Sequence, residues 1–240
     1  MKHLFITLLL ATSSLLSNAQ NVVYDENAEV RTVGTFNSVE VSGTVSLYLS
    51  QGTTQGVAVS AGEAKYNNKI ISEVKNGVLH ISVDGGVWNG FNWSNKKLKA
   101  YITVTELNRL EASGATYIST AGAIKSDDLK IEVSGASEMK GEIDANKLGM
   151  DVSGASVVKL SGKATDVRIE ASGACVINAY SLTIDNCKTN TSGASSLRVY
   201  VKNQLTAEAT GGSSVYYKGR PTSTNLNSSA GSSIKNKSEE

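Results

Sequence analysis

The tripeptide Ser-Gly-Ala begins at Ser113, Ser134, Ser153, Ser172 and Ser192, and degenerate copies follow at Thr210-Gly211-Gly212 and Ser229-Ala230-Gly231. Successive copies stand 18 to 21 residues apart. A unit this short cannot enclose a core, so neighbouring units must stack and bury their apolar sides against one another.

Aligning the copies on the serine gives columns. Five residues before it stand Asn108, Leu129, Leu148, Val167, Cys187, Leu205 and Thr224; three before stand Leu110, Ile131, Met150, Ile169, Thr189, Ala207 and Leu226. The columns one before (Ala112 to Ser228) and five after (Ile118 to Ile234) are also mostly apolar. A spacing of two is the strand period, so these columns share an inward face. Between them run a basic column four before the serine and an acidic column two before it, both outward. Each copy reads as strand, small-residue turn, strand and link. The links vary from five residues (Tyr200 to Gln204) to eight (Ala121 to Asp128), and Pro221 falls in one of them. Parallel pairing of successive coils gives an all-β, single-stranded parallel β-helix with coils of about 19 residues. The right-handed form is expected, because right-handed crossovers dominate parallel sheets. In the turn, small side chains let backbones approach and glycine supplies dihedrals closed to other residues. Ala230 takes the glycine column in the last copy, which leaves a positive φ there open.

Before the regular coils, Val39 to Leu49 fits the same template around Ser42, and Val57–Ser60, Val78–Val83 and Leu98–Val104 are further strand candidates. This gives a less regular N-terminal β part over 36–105 and regular coils over 106–236, read as one domain, with an extension at 20–35 and a tail at 237–240. Residues 1–19 read as a signal peptide: Lys2 and His3, an apolar run from Leu4 to Leu16, then small residues at Ser17 and Ala19. That run is shorter than the roughly 20 residues of a spanning helix, so the protein is expected to be exported, to the periplasm or cell surface.

The chain carries 23 Lys and Arg against 22 Asp and Glu. Without Lys2 it is formally neutral, and no basic patch is visible in the sequence, which argues against nucleic acid as a partner. Only His80 would survive removal of the leader, so histidine-based catalysis and most zinc chemistry have little to work with. Ser-x-x-Lys occurs at Ser137/Lys140, Ser156/Lys159 and Ser232/Lys235, but on a strand this spacing puts the two side chains on opposite faces. The acidic column of Glu111, Glu132, Asp151, Glu170 and Glu208 offers hard oxygen ligands, yet the adjacent basic column is placed to neutralise it. Neither a metal nor a cofactor is expected. Cys175 and Cys187 fall in different columns, which favours two buried free thiols over a disulfide. The run from Val87 to Asn95 holds both tryptophans, and its aromatics Trp88, Phe91 and Trp93 are the candidate ligand-binding residues. Rings among asparagines suit sugar stacking or a protein contact; alternatively they cover an open end of the helix or a subunit interface.

Phe36 to Gly52, Val78-Leu79-His80-Ile81, Tyr101-Ile102-Thr103-Val104 and the Ser-Gly-Ala turns together resemble the head GIN domain, a "putative autotransporter adhesin" family common in secreted Bacteroidetes proteins. Thr105-Glu106-Leu107 departs from it, since the resemblance leads one to expect a proline at this junction. The resemblance implies a β-helical extracytoplasmic protein and brings no catalytic residues. The expectation is a non-enzymatic adhesion or binding module for a glycan or cell-surface protein, with oligomerisation open. The alternatives are a polysaccharide-active β-helix enzyme and a structural subunit of a surface assembly.

Overall fold

The structure, a computed structural model, describes residues 25–84, 97–229 and 231–238. About two-thirds of the chain is strand, wound into a parallel β-solenoid of about 7 turns. Four short strands open it: β1 (Glu29–Val30), β2 (Ser38–Val41), β3 (Ser46–Gln51) and β4 (Gly56–Ser60). A 3-10 turn over Ala64–Lys69 leads to β5 (Ile70–Lys75), β6 (Val78–Val83), β7 (Lys99–Val104) and β8 (Arg109–Ala112). The regular coils follow as β9 (Tyr117–Val133), β10 (Glu138–Val152), β11 (Val157–Ala171), β12 (Val176–Thr191) and β13 (Ser196–Ala209). The last pieces are β14 (Ser214–Lys218), β15 (Ser223–Ser228) and β16 (Ser233–Asn236).

The apolar columns of the sequence are the registers of the sheet. Leu129, Leu148, Val167, Cys187 and Leu205 are paired in succession, as are Ile118, Met139, Val158, Ile177, Leu197 and Val215, and all of them are buried. The links, expected as connections, are themselves strand. Ile124, Ile143, Ile184 and Val201 point into the core from them, so β9 to β13 run unbroken from one turn to the next. Differences in link length appear as register shifts, between Lys140 and Glu142 and again around Ala179 and Thr183. A parallel ladder tolerates such bulges because the inward alternation resumes beyond them.

At the C-terminal end the columns fail. Thr224, Leu226 and Ser228 of β15 are exposed, because β15 pairs with β13 and, among the described residues, no further coil lies over it. Serine and threonine at inward positions make this last coil polar, as a terminal repeat must be.

The N-terminal part has an order that the sequence does not show. β2 and β3 pair in register with β8 and β9, with Val39 against Leu110 and Leu47 against Ile118, although the whole stretch from Gly52 to Asn108 intervenes. On their other edges the same two strands pair with β6 and β7, with Val39 against Leu79 and Leu47 against Ala100. The first coil in the chain is therefore the second in the stack. Beneath it, β5 joins β6 antiparallel, β4 joins β7 antiparallel, and β1 joins β4. Asn76 (φ 51°) and Gly77 (φ 77°) form the β5–β6 hairpin, with the two positive φ values that a type I′ turn requires.

The Ser-Gly-Ala turns stack directly. The Ala136 and Ala155 amides donate to the carbonyls of Gly114 and Gly135, at 2.7 and 2.8 Å. Gly135 has φ 78°, and a Cβ on it would lie 2.3 Å from the Gly114 carbonyl oxygen. Glycine is thus required by conformation and by approach. In the last turn the positive φ falls on Gly231 (84°), one residue beyond the column that Ala230 occupies. Three residues after each turn serine lies a buried column, with Ser137, Ser156, Cys175 and Ser213 among its members. The Ser137 and Ser156 hydroxyls donate to the carbonyls of Ser134 and Ser153, both at 2.8 Å, and close the turn from within.

Candidate functional site

The outward residues that flank each turn form two faces, one from the strand before the turn and one from the strand after it. On the face before the turn, from β8 to β11, the charges neutralise one another. Arg109 meets Glu111 at 2.7 Å and Glu132 at 3.1 Å; Lys130 meets Glu132 at 2.8 Å and Asp151 at 3.2 Å; Arg168 pairs with Glu170. The Lys130 hydrogen bond, with Arg109 beside it, holds the Glu132 carboxyl below its ordinary range against the opposing effect of burial. This is the pairing expected of adjacent acidic and basic columns. No group of three or more His, Cys, Asp or Glu among the described residues is placed to hold a metal. A groove of about 360 Å³ on this side is lined by Lys147, Asp166, Arg168, Asn186 and Lys188 among others, and Asn186 donates to Asp166 at 2.9 Å within it.

The candidate nucleophiles are structural. Ser137 and Ser156 are buried with their hydroxyls committed to the turns, while Lys140 and Lys159 face outward. Both cysteines are free and buried. Cys175 donates its thiol to the Ser172 carbonyl at 2.9 Å in the place of a serine, and burial in the apolar column pushes the Cys187 thiol up to about 12. His80 Nδ1 lies 3.0 Å from Glu40 on the paired strand, half-buried.

Trp88, Phe91 and Trp93 lie outside the described residues. Their segment joins β6 to β7, whose near ends are held by the first Ser-Gly turn: the Ser42 amide donates to the Ile81 carbonyl and the Ser46 amide to that of Leu98, each at 2.9 Å. The two ends that flank the segment therefore stand where other coils carry Ser-Gly-Ala.

The face after the turn is where sequence reasoning missed candidate functional residues. Six residues after the turn serine stand Tyr48, Ser119, Lys140, Lys159, Asn178, Arg198, Tyr216 and Lys235, aligned by the register of β3, β9 to β14 and β16. Tyr101 joins them beneath Tyr48. The Tyr48 and Tyr101 rings stack at 5.2 Å, with Tyr117 edge-on to Tyr48 at 6.3 Å. Lys140 lies 5.5 Å over the Tyr117 ring, Arg198 5.6 Å over Tyr216, and Lys218 5.2 Å over Tyr180. The signal was the ordinary alternation, applied beyond the turn: the inward column five after the serine leaves the residue at six outward.

Asp25 anchors one end of this face. Its carboxylate accepts from Lys99 at 2.9 Å, Tyr101 at 2.8 Å and Ser60 at 2.8 Å. Burial disfavours the charge, but these bonds and the Asn27 amide outweigh it and bring the carboxyl down to about 2. Burial and the Asp25 contact push Tyr101 up to about 12. The phenol stays neutral and its ring is held in place.

These features define a β-solenoid with an aromatic and cationic outward face. The chain belongs to the family described as "Putative auto-transporter adhesin, head GIN domain", whose model matches residues 35–221. It is similar to the crystal structure of a putative adhesin from Bacteroides fragilis, at 24% identity and a TM-score of 0.81, over 87% of this chain and 95% of that one. A putative lipid binding protein from Parabacteroides distasonis is similar at 17% identity and 0.65, over 88% and 98%. A putative adhesin from Parabacteroides merdae is similar at 19% and 0.62, over 87% and 95%. At these identities the neighbours show the shared fold. No curated protein matches the chain.

Proposed function

We propose that the protein is a non-enzymatic, exported adhesion module that binds glycans through the face after the turn, and that Trp88, Phe91 and Trp93 also take part in binding. The observation that carries this reading is the row of tyrosines on a solvent-facing, in-register parallel sheet. Ring planes held on a rigid scaffold stack on the apolar faces of sugars without a large ordering cost. The aromatic segment directly precedes β7 in the chain, so it adjoins the Tyr101 end of the row in sequence. The family description supports adhesion, and the committed serines and self-paired acids of the other face favour binding over hydrolysis.

A glycan array on the mature protein tests this, with Tyr48→Ala and the Trp88→Ala/Trp93→Ala pair as variants. The reading expects bound glycans to be lost in at least one variant while the far-UV circular dichroism is unchanged. Unfolding or a changed oligomeric state in the tryptophan pair would make that segment a cap or an interface. An array on which nothing binds would remove glycans altogether. Export itself is tested by intact mass: cleavage after Ala19 leaves Gln20 first.

A further inference from the structure

The C-terminal half of the same face differs in charge from every other outward surface of the coils. Its strand segments are Val157–Ser161, Val176–Tyr180, Ser196–Tyr200, β14 and β16, and they contain no aspartate or glutamate. They carry Lys159, Arg198, Lys218 and Lys235 together with Tyr180, Tyr200, Tyr216 and the half-exposed Val176. Among the described residues, neither Arg198 nor Lys235 has a carboxylate within ion-pair distance, and the only acid near Lys159 is Glu138 at 3.8 Å, which lies closer to Lys140 at 2.9 Å. The chain carries 23 Lys and Arg against 22 Asp and Glu, so this is a separation of charge by the fold. Lys159, Arg198 and Lys235, about two coils apart in sequence, are brought into one column.

From Lys159 onward the column alternates. Along the position six after the turn serine, β11 to β14 and then β16 present Lys159, Asn178, Arg198, Tyr216 and Lys235 in succession. Adjacent strands are about 4.8 Å apart, so the three cations recur every second strand, at roughly 10 Å. Between them stand an amide and a phenol ring. An extended polysaccharide advances by a length comparable to one strand spacing per pyranose. A chain bearing one carboxylate on every second sugar would meet a cation at each acidic unit, and an amide or a ring at each neutral one.

Resting on the glycan reading above, we infer that this half-face is a subsite for a linear acidic polysaccharide with a uronate at alternate sugars. Arg198 is its central contact, because its planar guanidinium can pair with a carboxylate through two parallel bonds while stacked on Tyr216. Lys159 and Lys235 take the flanking acids as point charges, and Tyr216 and Asn178 meet the intervening sugars.

The test is affinity electrophoresis and calorimetry on the mature protein with three probes: hyaluronan oligosaccharides, dextran and a duplex DNA oligonucleotide. Hyaluronan is expected to bind, more weakly as salt rises, and dextran is not expected to bind at this subsite. Arg198→Gln should weaken hyaluronan at least tenfold and Tyr216→Ala several-fold, whereas Lys130→Gln on the opposite face should leave it unchanged. Unaltered thermal unfolding and circular dichroism check each variant, and Lys159→Gln provides a second measurement should Arg198→Gln unfold. Failure of hyaluronan to bind, or binding indifferent to Arg198 and Lys159, overturns the inference. So does DNA binding of equal strength, which would mark a general polyanion surface. If neutral glycans bind on the array and hyaluronan does not, the adhesion reading survives and this subsite alone fails; if neither binds, both fail.

Discussion

Cys175 and Cys187 carry the same atoms into two different columns. The Cys175 thiol makes the bond to the turn carbonyl that a hydroxyl makes in neighbouring coils, so Cys175→Ser is expected to change stability by no more than about 0.5 kcal/mol. Cys187 stands between Val167 and Leu205 in the apolar column. Cys187→Ser would bury a hydroxyl there, at a cost of about 1–3 kcal/mol. Denaturant midpoints of the two variants measure the difference, and equal losses would show that the turn column is not a hydrogen-bonding one. Asp25 makes a pH prediction. Its folded pKa of about 2 lies below the ordinary 3.8, so its contribution is complete above the unfolded value and vanishes as pH falls through the folded one. By linkage it amounts to about 2 kcal/mol. Wild type should therefore melt above Asp25→Asn at pH 6, and the gap should close between about pH 4 and pH 2. A gap that persisted below that window would mean that the variant's loss has another origin.

Within single elements the sequence was most readable where one coil repeats the next. Ile169 of β11 is fully buried and Glu170 beside it is exposed against Arg168, as the alternation requires. Ile169→Asp would bury an unpaired carboxylate at a cost of about 3–5 kcal/mol, whereas Glu170→Lys should stay within about 1 kcal/mol. Comparable drops in melting temperature would contradict this register. The template around Ser42 was legible too, since Val39, Val41, Val45 and Leu47 are buried at the spacings of the later coils. Its neighbours were not. Which strand lies beside β2 is decided by long-range pairing, and nothing in the local pattern of β6 says that it slides beneath β2 before β8 arrives above it. The links hid for a different reason: bulges break the count of residues while preserving the inward alternation that makes them strand. The tyrosines and cations of the candidate site were visible letter by letter, but their meeting on one face follows only once the column beyond the turn is drawn.

In the whole molecule, support is uneven along the stack. Coils β10 to β12 are paired on both edges over nearly their full length, whereas β15 and β16 each have one partner. Opening free energies should follow. Amide hydrogen exchange is expected to be fastest in Ser223–Asn236 and slowest in β10 to β12, and uniform protection would contradict independent fraying of the last coil. The inverted order at the other end gives the molecule a mechanical polarity. Once the two-residue β1 has peeled from β4, the next strands pulled from the amino end, β2 and β3, belong to a coil clamped between two that follow it in the chain, so they cannot be reeled out alone. Tension applied at the carboxyl end meets no such clamp. There the solenoid can release one turn of about 19 residues at a time, in steps of roughly 65 Å at full extension, while the amino-terminal clamp holds its grip.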